Sequence, residues 1–588
     1  MAVGRDGSAS THVERTASAM TTGSGMDAHG LRVLGRLASI QTMEAYSKPE
    51  PARRKKRALP MAALRWWAAW AIPGIGMFSE AYIIFSIGLI KPFQKAAFPD
   101  CFETHTACSV EETHVMNFIQ IGGIIIGMLL FGALGDIIGR AWGSRIVSSI
   151  MLVGSTLLVF SGLISNPGVY LRFFIFAQTF YGLGVGGEYP MASASAAERS
   201  QSDPALRNKR GQQVVLTFSQ QGMGNFINTI VILLLMLMLG QTGKQLEALA
   251  SRNIIIIQFA VAAAVSVFMT VWRFTRLKES KVWKAEREDA IDITEHVEHK
   301  PAGHIYRTAL SKFGPRLFAT CFGWVANDFA FYGNKLFQSS FIAALYPQAT
   351  PFERMQWTLL NSAVSLCGYW VAAALVDKKW YGRRIMQTVG FVMMFILFLI
   401  CGAGYGTLTA SVAGYRGFQT LYFLSSFFNQ FGPNCTTWLV AAEVFPTDVR
   451  STFQGVSAAW GKVGAIIADV VFGLVDTRMT FFLSAGFGLV GALVTVVFLP
   501  DTTGLPLDEL DRLHKYMLTG EFEHYHGDAV APRHLSLFER FALKWDTHHN
   551  PDLDAAHRAV QEDAAAAAAA GKDPSAVELM RVDKFADK

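Results

Sequence analysis

The chain has 588 residues, of which 51% are apolar and only 17% are charged. This composition excludes an ordinary soluble globule and predicts a polytopic membrane protein. The formal net charge of +6 does not indicate a nucleic-acid-binding protein, because the basic residues flank apolar segments instead of forming a separate basic domain.

Residues 1–62 are polar and lack the basic start and apolar core of a signal peptide. Apolar segments long enough to cross a membrane follow. Their centres lie near Met77, Gly123, Val153, Gly182, Leu233, Ala263, Ala330, Leu366, Met394, Phe427, Ala465 and Gly488. A charged connection, 276–315, separates six segments in 63–275 from six in 316–503, and a polar tail follows at 504–588. We predict an all-α membrane protein with twelve transmembrane helices in two six-helix bundles.

Basic residues are concentrated in alternate connections. They are Arg53, Arg54, Lys55, Lys56, Arg57, Arg140, Arg145, Lys209, Arg210, Lys378, Lys379, Arg383 and Arg384. The positive-inside rule places these connections, and hence both tails, in the cytoplasm. Cys101 and Cys108 then lie in an outer loop, where a disulfide and two free thiols are both open alternatives.

One sequence landmark occurs in both halves of the chain. "GALGDIIGR" follows the second apolar segment and contains Asp136 and Arg140, whereas "ALVDKKWYGRR" follows the eighth and contains Asp377 and Arg383. Recurrence at matching places predicts a duplicated fold, which is how many secondary transporters build a midplane site. No Walker loop, zinc-ligand spacing or nucleophile motif is present, so we expect neither an enzyme nor a bound metal or cofactor.

A charged stripe marks the seventh segment. Trp324, Asp328 and Tyr332 are spaced four apart, so their side chains share one helix face. A carboxylate near mid-bilayer costs about 2.5–3.5 kcal/mol and usually faces a cavity. Lys462, among small residues in the eleventh segment, could hold an anion as a point charge or form a structural ion pair with Asp328.

Three ordered blocks carry a family resemblance: "GLGVGGEYPMASASAAE", "WVANDFAFYGNKLFQ" and "FGPNCTTWLVAAEVFPTDVRSTFQGVSAAWGKVGAII". The chain from Trp66 to Leu510 resembles the major facilitator superfamily, and within it the proton-coupled inorganic phosphate symporters. The resemblance implies that the substrate site consists of Tyr189, Gln221, Trp324, Asp328, Tyr332, Asn434 and Lys462. It also matches Glu80 and Glu188 to the acidic residues of the family in helices one and four. Asp328 could donate a hydrogen bond to an oxyanion when protonated, so we expect Glu80, Glu188 and Asp328 to carry the coupled proton.

The chain departs from the pattern of this family at several places. Glu80 and Glu188 stand where the family usually has aspartate, Gln178 replaces its usual arginine, and Asp469 is an additional acid without an assigned role. Pro190, just after Glu188, predicts an irregular stretch in the fourth helix. These departures concern the proton route and the substrate more than the fold.

Six charged residues at the cytoplasmic helix ends are expected to form a gate rather than a substrate site. They are Asp136, Arg140, Asp377, Arg383, Glu443 and Arg450. Contacts among them would hold one side of the protein shut in one state of the transport cycle.

The sequence therefore predicts a plasma-membrane symporter that couples protons to the import of inorganic phosphate, with the lipid bilayer as its surroundings. The alternatives are a transporter of an organic anion or organophosphate, such as a glycerophosphodiester, and a phosphate-sensing transporter-receptor that signals through its tails. The sequence does not specify the oligomeric state.

Overall fold

The structure is a computed structural model, and it describes residues 66–68, 70–285, 287, 303–345 and 349–559, without the side chains of 332–345. Within it, 49–287 and 301–551 form one compact unit, to which all features below belong. The N-terminal tail before Trp66 and the alanine-rich run "EDAAAAAAAGK" lie outside the described residues.

The described part of this unit is almost entirely helical. The helices are α1 Ile75–Leu89, α2 Val110–Ile138, α3 Arg140–Leu163, α4 Pro167–Ser202, α5 Arg210–Met238, α6 Ala248–Arg276, α7 Gly303–Leu345, α8 Pro351–Leu375, α9 Gly382–Ala403, α10 Val412–Asn429, α11 Arg450–Leu474, α12 Thr477–Phe498, α13 Leu507–Thr519 and α14 Leu537–Phe541. α1 continues into Lys91–Ala97 after a 53° bend. α10 continues through Gln430–Asn434 into Cys435–Ala441.

Within the described residues, 8 helices are long and apolar enough to cross a membrane, and the bent α1 pair raises the number to 9. The three remaining segments of the predicted twelve are α4, α7 and α10. These helices carry buried polar residues, including Glu188, Asp328 and Asn434. These three helices are less apolar than the others because they carry polar side chains that face the interior of the protein.

The repeated landmark has the same backbone role in both halves. Gly139, between α2 and α3, has φ +92°, and Gly382, at the start of α9, has φ +69°. Residues with a side chain rarely adopt positive φ, so glycine permits the tight connection at both places. We call this end of the protein, where α2 meets α3 and α8 meets α9, the gate end.

Small residues determine how closely the helices approach one another. A Cβ atom at Gly127 of α2 would collide with the backbone of Leu183 in α4, and one at Gly186 of α4 would collide with the backbone of Ile124 in α2. Such contacts permit backbone-to-backbone packing inside a membrane. The two halves of the chain meet where α2 contacts α11 and where α5 contacts α8.

One local expectation from the sequence is corrected by the structure. α4 is a continuous helix from Pro167 to Ser202 with Pro190 inside it, so the predicted irregular stretch is absent there. One proline removes one backbone donor, and packed membrane helices tolerate that loss. The irregular backbone lies in the segment that continues α10 instead, at Gly432 (φ −104°, ψ −107°) followed by Pro433.

The central connection and the C-terminal tail, both predicted to be polar, contain helices as well. The predicted connection 276–315 is already helical from Gly303, where α7 begins. The polar C-terminal tail begins with a helix, α13, Leu507–Thr519. α13 buries Leu507, Leu510 and Leu513, the last two in an apolar cluster with Val444 and Phe445.

Candidate functional site

A closed ring of polar contacts links the two halves of the protein near their centre. The Lys462 ammonium lies 2.8 Å from Asp328 Oδ2 and 5.2 Å from the centre of the Tyr189 ring. Gln221 Nε2 donates to the Tyr189 hydroxyl at 2.9 Å. Asn434 Nδ2 donates to Gln221 Oε1 at 3.2 Å.

Asn327 closes this ring. Its Nδ2 atom donates to Asp328 Oδ1 at 2.9 Å and to Asn434 Oδ1 at 3.2 Å. Tyr189 and Gln221 belong to the first half of the chain, and the other members belong to the second. We call these six side chains the central ring; they are Tyr189, Gln221, Asn327, Asp328, Asn434 and Lys462.

The cation of the central ring lies against aromatic side chains. The Lys462 ammonium is 6.0 Å from the centre of the Trp324 ring, and the Trp324 and Tyr189 rings meet edge to face at 6.0 Å. The indole Nε1 of Trp324 is buried without a hydrogen-bond partner among the described residues. Gly461 leaves room for this arrangement, because a Cβ there would lie 3.1 Å from Trp324 and 3.2 Å from Asp328 Oδ2. The pocket thus presents a cation and an unused N–H donor, both suited to oxyanions.

Glu80 joins the central ring from α1. Its Oε1 accepts a hydrogen bond from the Tyr189 hydroxyl at 3.0 Å, and its Oε2 accepts one from Gln221 Nε2 at 3.3 Å. Two carboxyl groups, Glu80 of the first half and Asp328 of the second, therefore belong to one hydrogen-bonded network.

Tyr369 and Gln430 support the amide side of the ring. Asn434 Nδ2 donates to the Tyr369 hydroxyl at 2.8 Å and to Gln430 Oε1 at 2.5 Å. The Tyr369 hydroxyl donates to Gln221 Oε1 at 2.9 Å. The broken backbone at Gly432 and Pro433 places Gln430 and Asn434 at this position.

Glu188 forms a separate buried ion pair in the first half of the chain. Its Oε1 lies 2.5 Å from Arg273 Nη2 of α6, and both side chains are buried. Its Oε2 has no hydrogen-bond partner among the described residues. Gly76 of α1 lies directly over this pair, where a Cβ would collide with the carboxylate.

At the gate end, two matching networks connect the halves. Asp136 accepts hydrogen bonds from the backbone N–H groups of Ser451 at 3.1 Å and Thr452 at 2.8 Å, at the start of α11. Asp377 accepts them from Gly211 at 3.1 Å and Gln212 at 2.7 Å, at the start of α5. Each aspartate therefore caps a helix of the opposite half.

Next to each aspartate, two arginines form salt bridges with one buried glutamate. Arg140 contacts Glu198 at 2.9 Å, and Arg450 contacts the same carboxylate at 3.2 Å. In the matching network Arg383 contacts Glu443 at 3.0 Å. Arg210 contacts that carboxylate at 2.7 Å. Both glutamates are fully buried, and each bridges the two halves.

The arginines keep Glu443 ionised. Burial by itself raises the pKa of this carboxyl group, but Arg210 and Arg383 lower it from 4.5 to about 2. Thr502 Oγ1 donates a further hydrogen bond to it at 2.6 Å. The gate end is consequently held by charge-assisted contacts that persist at neutral pH.

The opposite end is closed by apolar contacts. Phe85 of α1 and Phe331 of α7 meet edge to face at 6.0 Å, and Ile121 and Ala465 belong to the same cluster. The loop beyond this end carries a disulfide between Cys101 and Cys108, which settles the alternative that the sequence left open. Because both ends are closed, Tyr189, Gln221, Trp324, Asp328, Asn434 and Lys462 are each at most 3% exposed.

The model of one protein family covers most of the chain. The model for "Sugar (and other) transporter" matches residues 70–303 and 317–514. The chain belongs to the sugar (and other) transporter family. Curated relatives of this family member include the probable inorganic phosphate transporters 1-6 and 1-9 of Arabidopsis thaliana, which are 27% and 28% identical. Each alignment covers 77% of this chain and 95% or 94% of the relative.

Solved structures of transporters confirm the fold of this family member. The proton:xylose symporter XylE bound to 6-bromo-6-deoxy-D-glucose has a TM-score of 0.60 at 17% identity, covering 77% of this chain and 99% of that one. A fucose:proton symporter from E. coli, FucP, has a TM-score of 0.52 at 12% identity, covering 73% and 98%. The predicted major facilitator fold of twelve helices is confirmed.

The structure brings together most of the residues that the sequence predicted for the substrate site. Tyr189, Gln221, Trp324, Asp328, Asn434 and Lys462 surround one site, whereas the side chain of Tyr332 lies outside the described residues. All six nominated gate residues lie in the two gate networks. Sequence reasoning missed Asn327, Tyr369, Gln430, Arg273, Glu198 and Arg210. Asn327 and Glu198 could have been found as polar residues inside quoted blocks, but the partners of Arg273 and Arg210 lie far away in sequence.

The described residues contain no group of three His, Cys, Asp or Glu side chains that could hold a metal ion.

Proposed function

We propose that this transporter carries inorganic phosphate together with protons by alternating access. The observation that carries the proposal is the position of Lys462 between Asp328 and two aromatic rings, beside the unused N–H group of Trp324. The curated relatives named inorganic phosphate transporters support the choice of phosphate as the anion.

Charge balance supports the coupling to protons. An oxyanion entering the central ring would be repelled by an ionised Asp328, but a protonated Asp328 could donate a hydrogen bond to it. Release of Asp328 from Lys462 frees the ammonium for the anion. Glu80 is a second candidate for carrying the coupled proton, because Tyr189 and Gln221 of the central ring donate hydrogen bonds to its carboxyl group.

Glu188 is proposed as a relay that takes the proton onward from the central ring. Its ion pair with Arg273 would have to open, or exchange partners, for the carboxyl group to accept a proton. The unpartnered Oε2 atom provides a site for that proton. Arg273 is the cation that faces Glu188, whereas Gln178 is neutral and donates to the Met116 carbonyl at 2.7 Å.

The gate networks and the Phe85–Phe331 contact are proposed as the two barriers of the cycle. Breaking the helix caps of Asp136 and Asp377 would open the gate end, and separating the two phenylalanines would open the other end. We assign the gate end to the cytoplasm and the membrane to the plasma membrane, because the basic connections of the chain lie at the gate end. Both tails would then be cytoplasmic.

Uptake of radiolabelled phosphate into proteoliposomes, with and without an imposed pH gradient, tests this function. Wild type should accumulate phosphate only with the gradient, Lys462→Ala should lose uptake, and the exposed Lys284→Ala should behave as wild type. Uptake that ignores both the gradient and the loss of Lys462 would contradict the proposal.

Competition separates the alternatives that the sequence left open. An organophosphate such as a glycerophosphodiester, in excess, should leave phosphate uptake unchanged if phosphate is the substrate, and should suppress it if the site prefers the ester. Deletion of residues 1–62 and 552–588 should preserve flux in a transporter, whereas a receptor that signals through its tails would lose its signal.

A further inference from the structure

An exposed apolar patch lies in the C-terminal tail, outside the transport site. Leu537 and Phe541 are the ends of α14, and Leu543 follows it. Their exposed fractions are 38%, 69% and 39%. Three neighbouring apolar side chains that face outward on one short segment call for a covering partner.

The structure fixes this segment against the ends of three membrane helices. The Phe538 ring packs against Phe498, the last residue of α12, at 5.2 Å. Arg384 of α9 donates to the Leu535 carbonyl at 3.1 Å. Arg316 of α7 donates to the Glu539 carboxylate at 2.5 Å. These contacts place α14 beside the start of α9 and the end of α12, two helices long and apolar enough to cross a membrane.

The lipid-facing surface of those helices continues into the patch. Phe318 of α7, Ile385 of α9 and Val496 of α12 are exposed apolar side chains on the outside of the bundle. Phe318 also packs against Phe498, the residue that holds Phe538. Acyl chains that cover Phe318 would therefore lie next to the tail segment.

Basic side chains surround the apolar patch. Arg533, Arg540 and Lys544 are exposed, while Glu539 is buried against Arg316. Arg533 and Arg540 form ion pairs at 3.7 Å and 3.4 Å with partly exposed aspartates. Exposed pairs of this kind contribute little and leave the arginines able to bind an anion. Apolar residues with basic neighbours are typical of segments that lie in the membrane interface.

We propose that residues 533–545 form a membrane-interface anchor. Leu537, Phe541 and Leu543 enter the headgroup layer of the adjacent leaflet, and Arg540 and Lys544 bind the phosphate groups of anionic phospholipids. The bilayer is the occupant, rather than a second copy or a soluble protein, because the patch continues a surface that lipid already covers and carries cations complementary to anionic headgroups.

Nitroxide depth measurements on the full-length protein in nanodiscs test the anchor. Single labels are introduced at Phe541→Cys, at Thr547→Cys as an exposed control in the same tail, and at Leu493→Cys as a lipid-facing control in α12. The background carries Cys321→Ala and Cys367→Ala, so that these thiols do not react. Collisions with oxygen and with a water-soluble nickel chelate then report the depth of each label.

We expect the label at 541 to be shielded from nickel and accessible to oxygen, as at 493, and the label at 547 to show the reverse. Replacing phosphatidylcholine with a mixture containing phosphatidylserine should deepen the label at 541, and Arg540→Gln with Lys544→Gln should remove that lipid dependence. Nickel access at 541 equal to that at 547 would overturn the proposal, and so would dipolar coupling between two labels at 541, which would indicate a second copy.

Discussion

Lys462 and Asp328 are 134 residues apart in sequence, yet their side chains meet at 2.8 Å inside the membrane domain. Gly461, next to Lys462, lets α11 approach α7 closely enough for this contact. Both side chains are buried, so each is the main compensation for the charge of the other. The pair is thus both a structural contact and the only cation–carboxylate pair within the central ring.

Breaking this ion pair should destabilise the protein more than removing it entirely. We expect Lys462→Ala or Asp328→Asn alone to cost about 3–5 kcal/mol, because each leaves one buried charge without its partner. The double variant should recover much of that stability but should not transport phosphate. Thermal unfolding in detergent measures stability, and proteoliposome uptake measures transport. If the loss of unfolding free energy in the double variant equals the sum of the losses in the two single variants, the ion pair is not the source of the effect.

Asp328→Asn should separate binding from coupling. An amide keeps the size of the side chain and can donate a hydrogen bond to an oxyanion, but it cannot exchange a proton. We therefore expect phosphate exchange across the membrane to persist while accumulation driven by a pH gradient is lost. Normal proton-driven accumulation by this variant would assign the coupling to another carboxyl group, for which Glu80→Gln is the matched comparison.

The pair of Glu188 and Arg273 calls for a similar comparison. Glu188→Gln should destabilise the protein because Arg273 is then buried without a countercharge, and Glu188→Gln with Arg273→Gln should restore its melting temperature. If Glu188 relays protons, the restored double variant should still lack gradient-driven uptake. Recovery of both stability and uptake would show that the pair is only structural. Gly76→Ala provides an independent disturbance, because its Cβ would collide with the carboxylate.

Glu443 should make the stability of the gate depend on pH. Its pKa is lowered from 4.5 to about 2 in the folded protein, so its contribution is complete above pH 4.5 and disappears as the pH falls towards 2. The contribution is about 3 kcal/mol at full ionisation. We expect the difference in unfolding free energy between wild type and Glu443→Gln to shrink over this range. The exposed Glu111→Gln serves as the control and should keep the wild-type pH profile.

The two helix caps at the gate end should act symmetrically. Removing the charge in Asp136→Asn or Asp377→Asn weakens its attraction to the positive end of the capped helix by about 1 kcal/mol, which shifts the open population about fivefold. Distances between spin labels at Asn208→Cys and Lys379→Cys, in a Cys321→Ala, Cys367→Ala background, should lengthen in both variants. Asp203→Asn is the matched control, since its carboxylate accepts only a local hydrogen bond from Ala205 among the described contacts. Unchanged distances in both cap variants would contradict the gate assignment.

The sequence identified individual polar residues well because polar groups are costly within apolar helices. Asp328 and Lys462 could be recognised for that reason, and their helical spacing placed Trp324 on the same face as Asp328. The sequence also indicated Asp136 and Asp377 through the repeated landmark. It could not show that each aspartate caps a helix in the opposite half, because that contact depends on how the two bundles dock.

Arg273 shows why some residues of the buried polar networks could not be predicted from the sequence. An arginine near the end of an apolar segment usually reaches towards the membrane surface, and nothing nearby in sequence indicates a buried partner. Its contact with Glu188 depends on the crossing of α4 and α6. Pro190 shows the reverse error. The tendency of proline to disrupt helices predicted irregular backbone near it, but α4 is continuous through Pro190.

The sequence alone determined the membrane environment, the helical segments and the side chains able to carry charge, because transfer of the chain into lipid depends on local composition and periodicity. Tertiary structure alone decided which charges neutralise one another, that the central ring joins both halves, and that both ends are shut. Those properties arise from contacts between helices distant in sequence, and the energy of a buried charge depends on its partner rather than on its neighbours along the chain.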